Sequence, residues 1–169
     1  MNHLRNAFRL NVGFIVNLSV GTSREFLFEY PSLHLPPDLD ISNLSGTARV
    51  TRTPQGLLTQ VKMRALIGTE CVRCLTELQQ SLAIDFTELY AFSSRTASDT
   101  DLILPEDGHI DLAPLVREYM LLDIPINPVC TPGCQGLCLV CGENLNEFPH
   151  DHGDEPIDPR FSILKELLE

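Results

Sequence analysis

Apolar and polar residues alternate with the period of a strand through most of the first half of the chain. Arg24-Glu25-Phe26-Leu27-Phe28-Glu29-Tyr30 sets Phe26, Phe28 and Tyr30 on one face. Residues 45–52 and 57–69 are two more β-rich runs. Thr53-Pro54-Gln55-Gly56 joins them, with Pro early and Gly late as a reverse turn requires. Val61, Met63, Ala65 and Ile67 alternate with Gln60, Lys62, Arg64 and Leu66, the pattern of a half-buried antiparallel strand. Residues 79–92 repeat it, with Leu82, Ile84 and Phe86 on one side and Ser81, Asp85 and Thr87 on the other. Residues 8–18 read as extended, 31–37 as a proline-rich connection and 93–108 as a polar, acidic loop.

The period then changes. Leu112, Leu115, Val116, Tyr119 and Leu122 trace one helical face, with Asp111 as N-cap and Pro114 in the first turn. That helix must stop before Ile124-Pro125. Asp158-Pro159 opens a second, short helix carrying Phe161, Leu164, Leu167 and Leu168. These elements predict an α+β protein. An antiparallel β-sheet fills the N-terminal two-thirds, one helix spans 111–122, and a loop-rich C-terminal segment ends in a short helix. The expected division is 1–125 for the sheet domain and 126–169 for the C-terminal segment.

The 169 residues have a mean hydropathy of +0.02, as expected of a soluble protein. No apolar run reaches membrane-spanning length, so no membrane partner is expected. Asn17 interrupts the apolar run after the basic N-terminus and no Ala-x-Ala site follows, which argues for the cytoplasm over secretion. Charge is divided unevenly. Residues 1–74 hold eight Lys and Arg against five Asp and Glu, whereas residues 75–169 hold four against 18. An acidic half argues against non-specific wrapping of nucleic acid and suits a basic protein partner.

A cytoplasmic chain uses cysteine for metal or redox chemistry, not structural disulfides. All six cysteines here fall in two clusters. Cys71-Val72-Arg73-Cys74 ends the strand at 57–69, and Cys130, Cys134, Cys138 and Cys141-Gly142 follow the helix, with His150 and His152 just beyond. A Cys-x-x-Cys pair turns both sulfurs to one side, where neighbouring N–H groups bond to them. The spacing points to structural zinc, one ion or two. One assignment completes Cys71 and Cys74 with Cys130 and Cys134, and Cys138 and Cys141 with His150 and His152. Another gathers Cys130, Cys134, Cys138 and Cys141 into a single site and leaves Cys71 and Cys74 free. A dithiol redox reading of Cys71 and Cys74 lacks the helix start that such pairs sit on, and predicts a depressed thiol pKa there. Arg49, Lys62 and Arg64 project from one hairpin face and Arg73 from the knuckle, a small patch suited to RNA phosphates. There is no phosphate-binding glycine loop, no His-Glu-x-x-His and no nucleophile elbow, so neither an enzyme nor a small-molecule substrate is expected.

One ordered set of motifs carries a resemblance. It comprises Cys71-x-Arg73-Cys74-Leu75, Ile110-Asp111-Leu112 with Leu115-Val116-Arg117-Glu118, and Pro125. Cys130-x-x-x-Cys134-x-Gly136-Leu137-Cys138-x-x-Cys141-Gly142-x-Asn144-Leu145-Asn146 follows, then Asp158-Pro159-Arg160-Phe161. From about Asn11 to its end the chain resembles the YceD family, the large ribosomal RNA subunit accumulation proteins. The family pattern has Cys-x-Cys where this chain has His150-Asp151-His152, and histidine can replace cysteine on zinc. The resemblance implies a non-enzymatic role in making or protecting large-subunit ribosomal RNA. It would act by binding that RNA or its precursor, a basic ribosomal protein, or both. The runner-up is a zinc-stabilised protein adaptor, for example in transcription.

Overall fold

Alternation of side chains becomes a meander of long strands in the computed structural model, which describes residues 7–93 and 102–152. The elements are β1 (Arg9–Asn11), α1 (Gly13–Val16), β2 (Ser23–Leu35), β3 (Leu39–Arg52), β4 (Gly56–Glu70), β5 (Glu77–Ala91), β6 (Leu102–Ile103), β7 (His109–Asp111) and α2 (Ala113–Asp123). The five-stranded sheet has the order β2-β3-β4-β5-β6, and β1 pairs with β7 in a separate two-stranded sheet. The protein is thus mostly strand, with two helices among the described residues, one of them a single turn. None of its helices there is long and apolar enough to cross a membrane.

The described residues divide into two compact units. One comprises 7–69 with 77–93 and 102–128, the other Glu70–Thr76 with 129–152. In the first, the inward rows of β3, β4 and β5 are closed from water: Ala48, Val50, Val61, Met63, Ala65, Leu82, Ile84 and Phe86 are all buried. Helix α2 lies on β5, where Tyr119 stacks on Phe86 with ring centroids 4.2 Å apart. Its last residue, Asp123, accepts the Ala83 N–H at 2.7 Å, satisfying a donor on the strand.

Several sequence expectations need correction. The sheet is mixed, because β6 runs parallel to β5 through Tyr90↔Leu102 and Ala91↔Ile103. Residues 31–35 are not a connection but the second half of β2. The β2–β3 ladder continues past Pro31 to Leu35↔Leu39 and omits only Pro31 opposite Asn43. Proline has no N–H to give the ladder, and Asn43 takes φ +51 there. The buried row changes parity at that point: Ala48, Val50 and Leu44 lie on one side of it, Ile41 and Leu39 on the other. A pattern search that assumes unbroken alternation stops there. Residues 8–18 are not one extended run, since β1 gives way to α1. The Val12 and Gly13 N–H groups both donate to the Gly108 carbonyl, at 2.8 and 3.0 Å, and turn the chain.

The expected helix forms, but Leu112 is its N-cap residue and Asp111 ends β7. The Asp111 carboxylate still accepts the Ala113 N–H at 2.9 Å, as a cap would. The buried stripe is Leu112, Val116 and Met120, and Leu122 is 81% exposed. The 93–108 stretch is not all loop, for it holds β6. The short helix expected after Asp158 lies outside the described residues.

Candidate metal centres

Strand β4 ends at Glu70, and the next residues make a tight loop closed by two backbone bonds. Cys71 N–H donates to the Thr76 carbonyl and Leu75 N–H to the Cys71 carbonyl, both at 2.9 Å. The loop turns Cys71 and Cys74 to the same side. Cys130 and Cys134 meet them from the chain that follows α2, with Cys134 N–H donating to the Thr131 carbonyl at 3.1 Å. The sulfurs of Cys71 and Cys134 are 3.8 Å apart and those of Cys74 and Cys130 3.6 Å, and all four lie within 4.8 Å of one another. These separations far exceed the ~2.05 Å of a disulfide. Four sulfurs each ~2.3 Å from one ion define a tetrahedron with edges of about 3.8 Å. The donor set therefore fits zinc in both chemistry and size. Cys71, Cys74 and Cys134 are buried, and Cys130 is exposed.

Neighbouring groups favour thiolate. Burial pushes the Cys71 thiol up, but the backbone N–H groups of Cys130, Cys74 and Arg73 outweigh it and bring it down to about 6. The hydroxyl and backbone of Thr76 lower Cys74; Thr76 Oγ1 is 3.2 Å from its sulfur. Cys130 goes the other way, to about 12, because it bonds to the sulfurs of Cys134 and Cys74 and is held protonated beside them. Four sulfurs at this separation cannot all carry charge without a cation. Asn146 Nδ2 donates to Cys134 Sγ at 3.4 Å, and Arg73 Nη1 donates to the Cys134 carbonyl at 2.8 Å.

The second group contains Cys138, Cys141, His150 and His152, whose ligand atoms also lie within 4.8 Å of one another. Here Gly142 N–H donates to the Cys138 carbonyl at 2.9 Å and Val140 N–H to Cys138 Sγ at 3.4 Å. Gly142 has φ +78 with open space where a Cβ would be, so its need is conformational. A short bridge between Leu137 and Asn144 brings the following loop back. His150 Nδ1 lies 2.7 Å from the Phe148 carbonyl. That bond places the ring proton on Nδ1 and leaves Nε2, 3.1 Å from Cys141 Sγ, as a donor for metal. The N–H groups of Cys141 and Val140 bring Cys138 down to about 6, and the Phe148 carbonyl raises His150.

The structure brings together the first of the two ligand sets drawn from the sequence. Cys130 and Cys134 sit with Cys71 and Cys74, not with Cys138 and Cys141. Thr76 and Asn146 were assigned no role from sequence, although Asn146 stands in the motif that carries the resemblance.

The basic residues are arranged differently. Arg49, Lys62 and Arg64 are exposed on one sheet face, Lys62 opposite Thr47 and Arg64 opposite Ser45. Lys62, Arg64 and Asp85 line an open depression of about 440 Å³ together with Ser45, Gly46 and Ala83. Acids share the face. Asp85 pairs with Lys62 at 2.9 Å, and Glu25 lies across the ladder from Arg49. Arg73 is held by the Cys134 carbonyl.

The sequence model described as "Large ribosomal RNA subunit accumulation protein YceD" matches residues 59–168, a span that contains all eight candidate ligands. An uncharacterized protein of Mycobacterium tuberculosis is 34% identical over 124 residues, covering 71% of this chain and 59% of the relative. The chain thus spans about three-fifths of that relative's length. The chloroplastic YCED homolog 1 of Arabidopsis thaliana, named as a large ribosomal RNA subunit accumulation protein, is 38% identical over 65 residues, 38% of this chain and 20% of the plant protein. Bacillus subtilis YlbN, uncharacterized, is 29% identical over 100 residues, 58% of each chain. No solved structure matches.

Proposed function

The chain belongs to the YceD family, and from that premise we propose that it is a non-enzymatic ribosome-biogenesis factor supporting the accumulation of large-subunit ribosomal RNA in the cytoplasm. The observation that carries the reading is the family match over residues 59–168, which takes in β5, α2 and both ligand groups. Structural zinc, one ion per group, supplies the cross-links of the loop-rich unit, where short segments bury little apolar surface of their own. Cys71, Cys74, Cys130 and Cys134 hold one ion, and Cys138, Cys141, His150 and His152 the other. With four protein donors in each group, no coordination position is left for water or substrate.

A dithiol enzyme would also want the lowered thiols of Cys71 and Cys74. Cys71, however, is fully buried and crowded by the sulfur of Cys134, out of reach of a protein disulfide. The same lowering serves a metal ligand.

The charge distribution favours a basic ribosomal protein over RNA as the direct partner. Of the four residues of the RNA patch, Lys62 is paired with Asp85 and the Arg73 guanidinium is bound to the Cys134 carbonyl. The acidic surplus of residues 75–169 suits a basic protein. The test is made in cells depleted of the protein. The ratio of large- to small-subunit ribosomal RNA falls, the wild-type chain restores it, and the double variant Cys71→Ser, Cys74→Ser does not. An unchanged ratio on depletion overturns the reading. Loss of association with large-subunit precursors on charge reversal of Arg49 and Arg64 would transfer the direct contact to RNA.

A further inference from the structure

Both N–H donors of the Asn146 amide and one acceptor direction of its oxygen are used. Nδ2 donates to Cys134 Sγ at 3.4 Å and to Asn144 Oδ1 at 2.7 Å, while Oδ1 accepts the Gln135 N–H at 2.9 Å. Turned over, the amide would set its oxygen against the sulfur and the Asn144 oxygen, and its NH₂ against the Gln135 N–H. The network thus fixes which atom faces the thiolate. Asn146 N–H also donates to Asn144 Oδ1, at 3.0 Å. The Asn144 carbonyl accepts the Phe148 N–H at 3.0 Å. The Phe148 carbonyl in turn accepts His150 Nδ1–H at 2.7 Å. An unbroken line of bonds therefore joins a sulfur of the four-cysteine group to an imidazole of the two-cysteine, two-histidine group. Arg73 adds a second tie, its carbonyl accepting the Leu137 N–H at 3.1 Å while its guanidinium holds the Cys134 carbonyl.

Resting on the two-zinc reading above, we propose that Asn146 positions the Cys134 thiolate of the first centre and couples the two centres, so that filling either one tightens the other. An N–H donated to a metal-bound thiolate orients it and disperses its charge, and losing such a partner costs about 10–100-fold in metal affinity. An ion at the second centre fixes His150 and with it the 142–150 loop. The entropy of holding Asn146 against Cys134 is then already met when the first centre fills. The reverse holds by linkage: each ion raises affinity for the other by the same factor.

The experiment loads the full chain with cadmium-113. Four-sulfur and two-sulfur, two-nitrogen sites give separate resonances, and chelator competition followed at each gives its affinity. Asn146→Asp has the same size and keeps the acceptor for Gln135 N–H, but loses the N–H facing the sulfur. It weakens the four-sulfur centre about 10–100-fold. The pair His150→Ala, His152→Ala abolishes the second resonance and weakens the first centre about tenfold, within the usual span of coupling. In the Asn146→Asp chain the histidine changes weaken the first centre by less than they do in the wild type. Wild-type affinity at the first centre in Asn146→Asp, or effects that multiply, overturn the coupling. The histidine pair decides independently, because it leaves Asn146 in place: an unchanged first centre there also overturns the coupling. A wild-type chain that binds fewer than two ions overturns the two-zinc reading itself, an outcome distinct from the others.

Discussion

A buried tyrosine makes stability sensitive to alkaline pH. Tyr90 is 5% exposed on β5, and burial, reinforced by the charges of Glu88 and Asp111, pushes its phenol up to about 12. The fold holds the neutral form, whereas the unfolded chain titrates near pH 10. The contribution is therefore complete below pH ~10 and is lost as pH rises towards 12. Two units correspond to about 2–3 kcal/mol at most. Urea unfolding midpoints should fall across that window more steeply in the wild type than in Tyr90→Phe; parallel slopes would refute the assignment. At the same scale, Gly46 answers to space. A Cβ there would come within 2.2 Å of the Lys62 carbonyl and 2.6 Å of Met63 Cα, so β3 and β4 approach more closely than any side chain allows.

Helix α2 is defined by what its faces meet. Met120 is fully buried and Leu122, two residues on, is 81% exposed. Met120→Ala removes core volume and should cost about 2–5 kcal/mol. Leu122→Ala should stay within ~0.5 kcal/mol. Chemical denaturation of the two variants checks this, and equal losses would mean the helix is rotated from the orientation described. The helix itself was legible from its 3.6-residue spacing. Its phase is half legible: Leu112, Leu115, Val116 and Tyr119 turn inward, but Met120, not the expected Leu122, completes the stripe. Both positions fit an apolar stripe at its margin, and only the position of β5 decides between them. The strands show the same limit. β4 and β5 alternate cleanly and were placed to within two residues, whereas β2 was cut short at Pro31, where the alternation changes phase.

Across the whole molecule, the two-zinc proposal gives stability two sources. The sheet unit rests on buried apolar rows, while Glu70–Thr76 with 129–152 would be held by metal at its two clusters of donors. Stripping metal with a strong chelator at neutral pH should therefore act selectively. Amide exchange should rise by at least about 100-fold in 70–76 and 129–152 and change little in the cores of β3 and β4, because metal binding supplies folding free energy only where the ligands are. Uniform deprotection would show that the chain unfolds as one unit, and no deprotection would show that the loops hold without metal.

The sequence by itself determined the kinds of element, the two knuckles and the family. These reside in local signals: alternation, helical spacing, Cys-x-x-Cys with a following glycine, and an ordered run of motifs. It left open which cysteines come together, because Cys71 and Cys130 are far apart in the chain and spacing says nothing about distances across a fold. Tertiary structure decided that pairing, joined Cys134 to Asn146, and gave Lys62 and Arg73 partners of their own. Each depends on groups from separate segments arriving at one place, which only the folded backbone arranges.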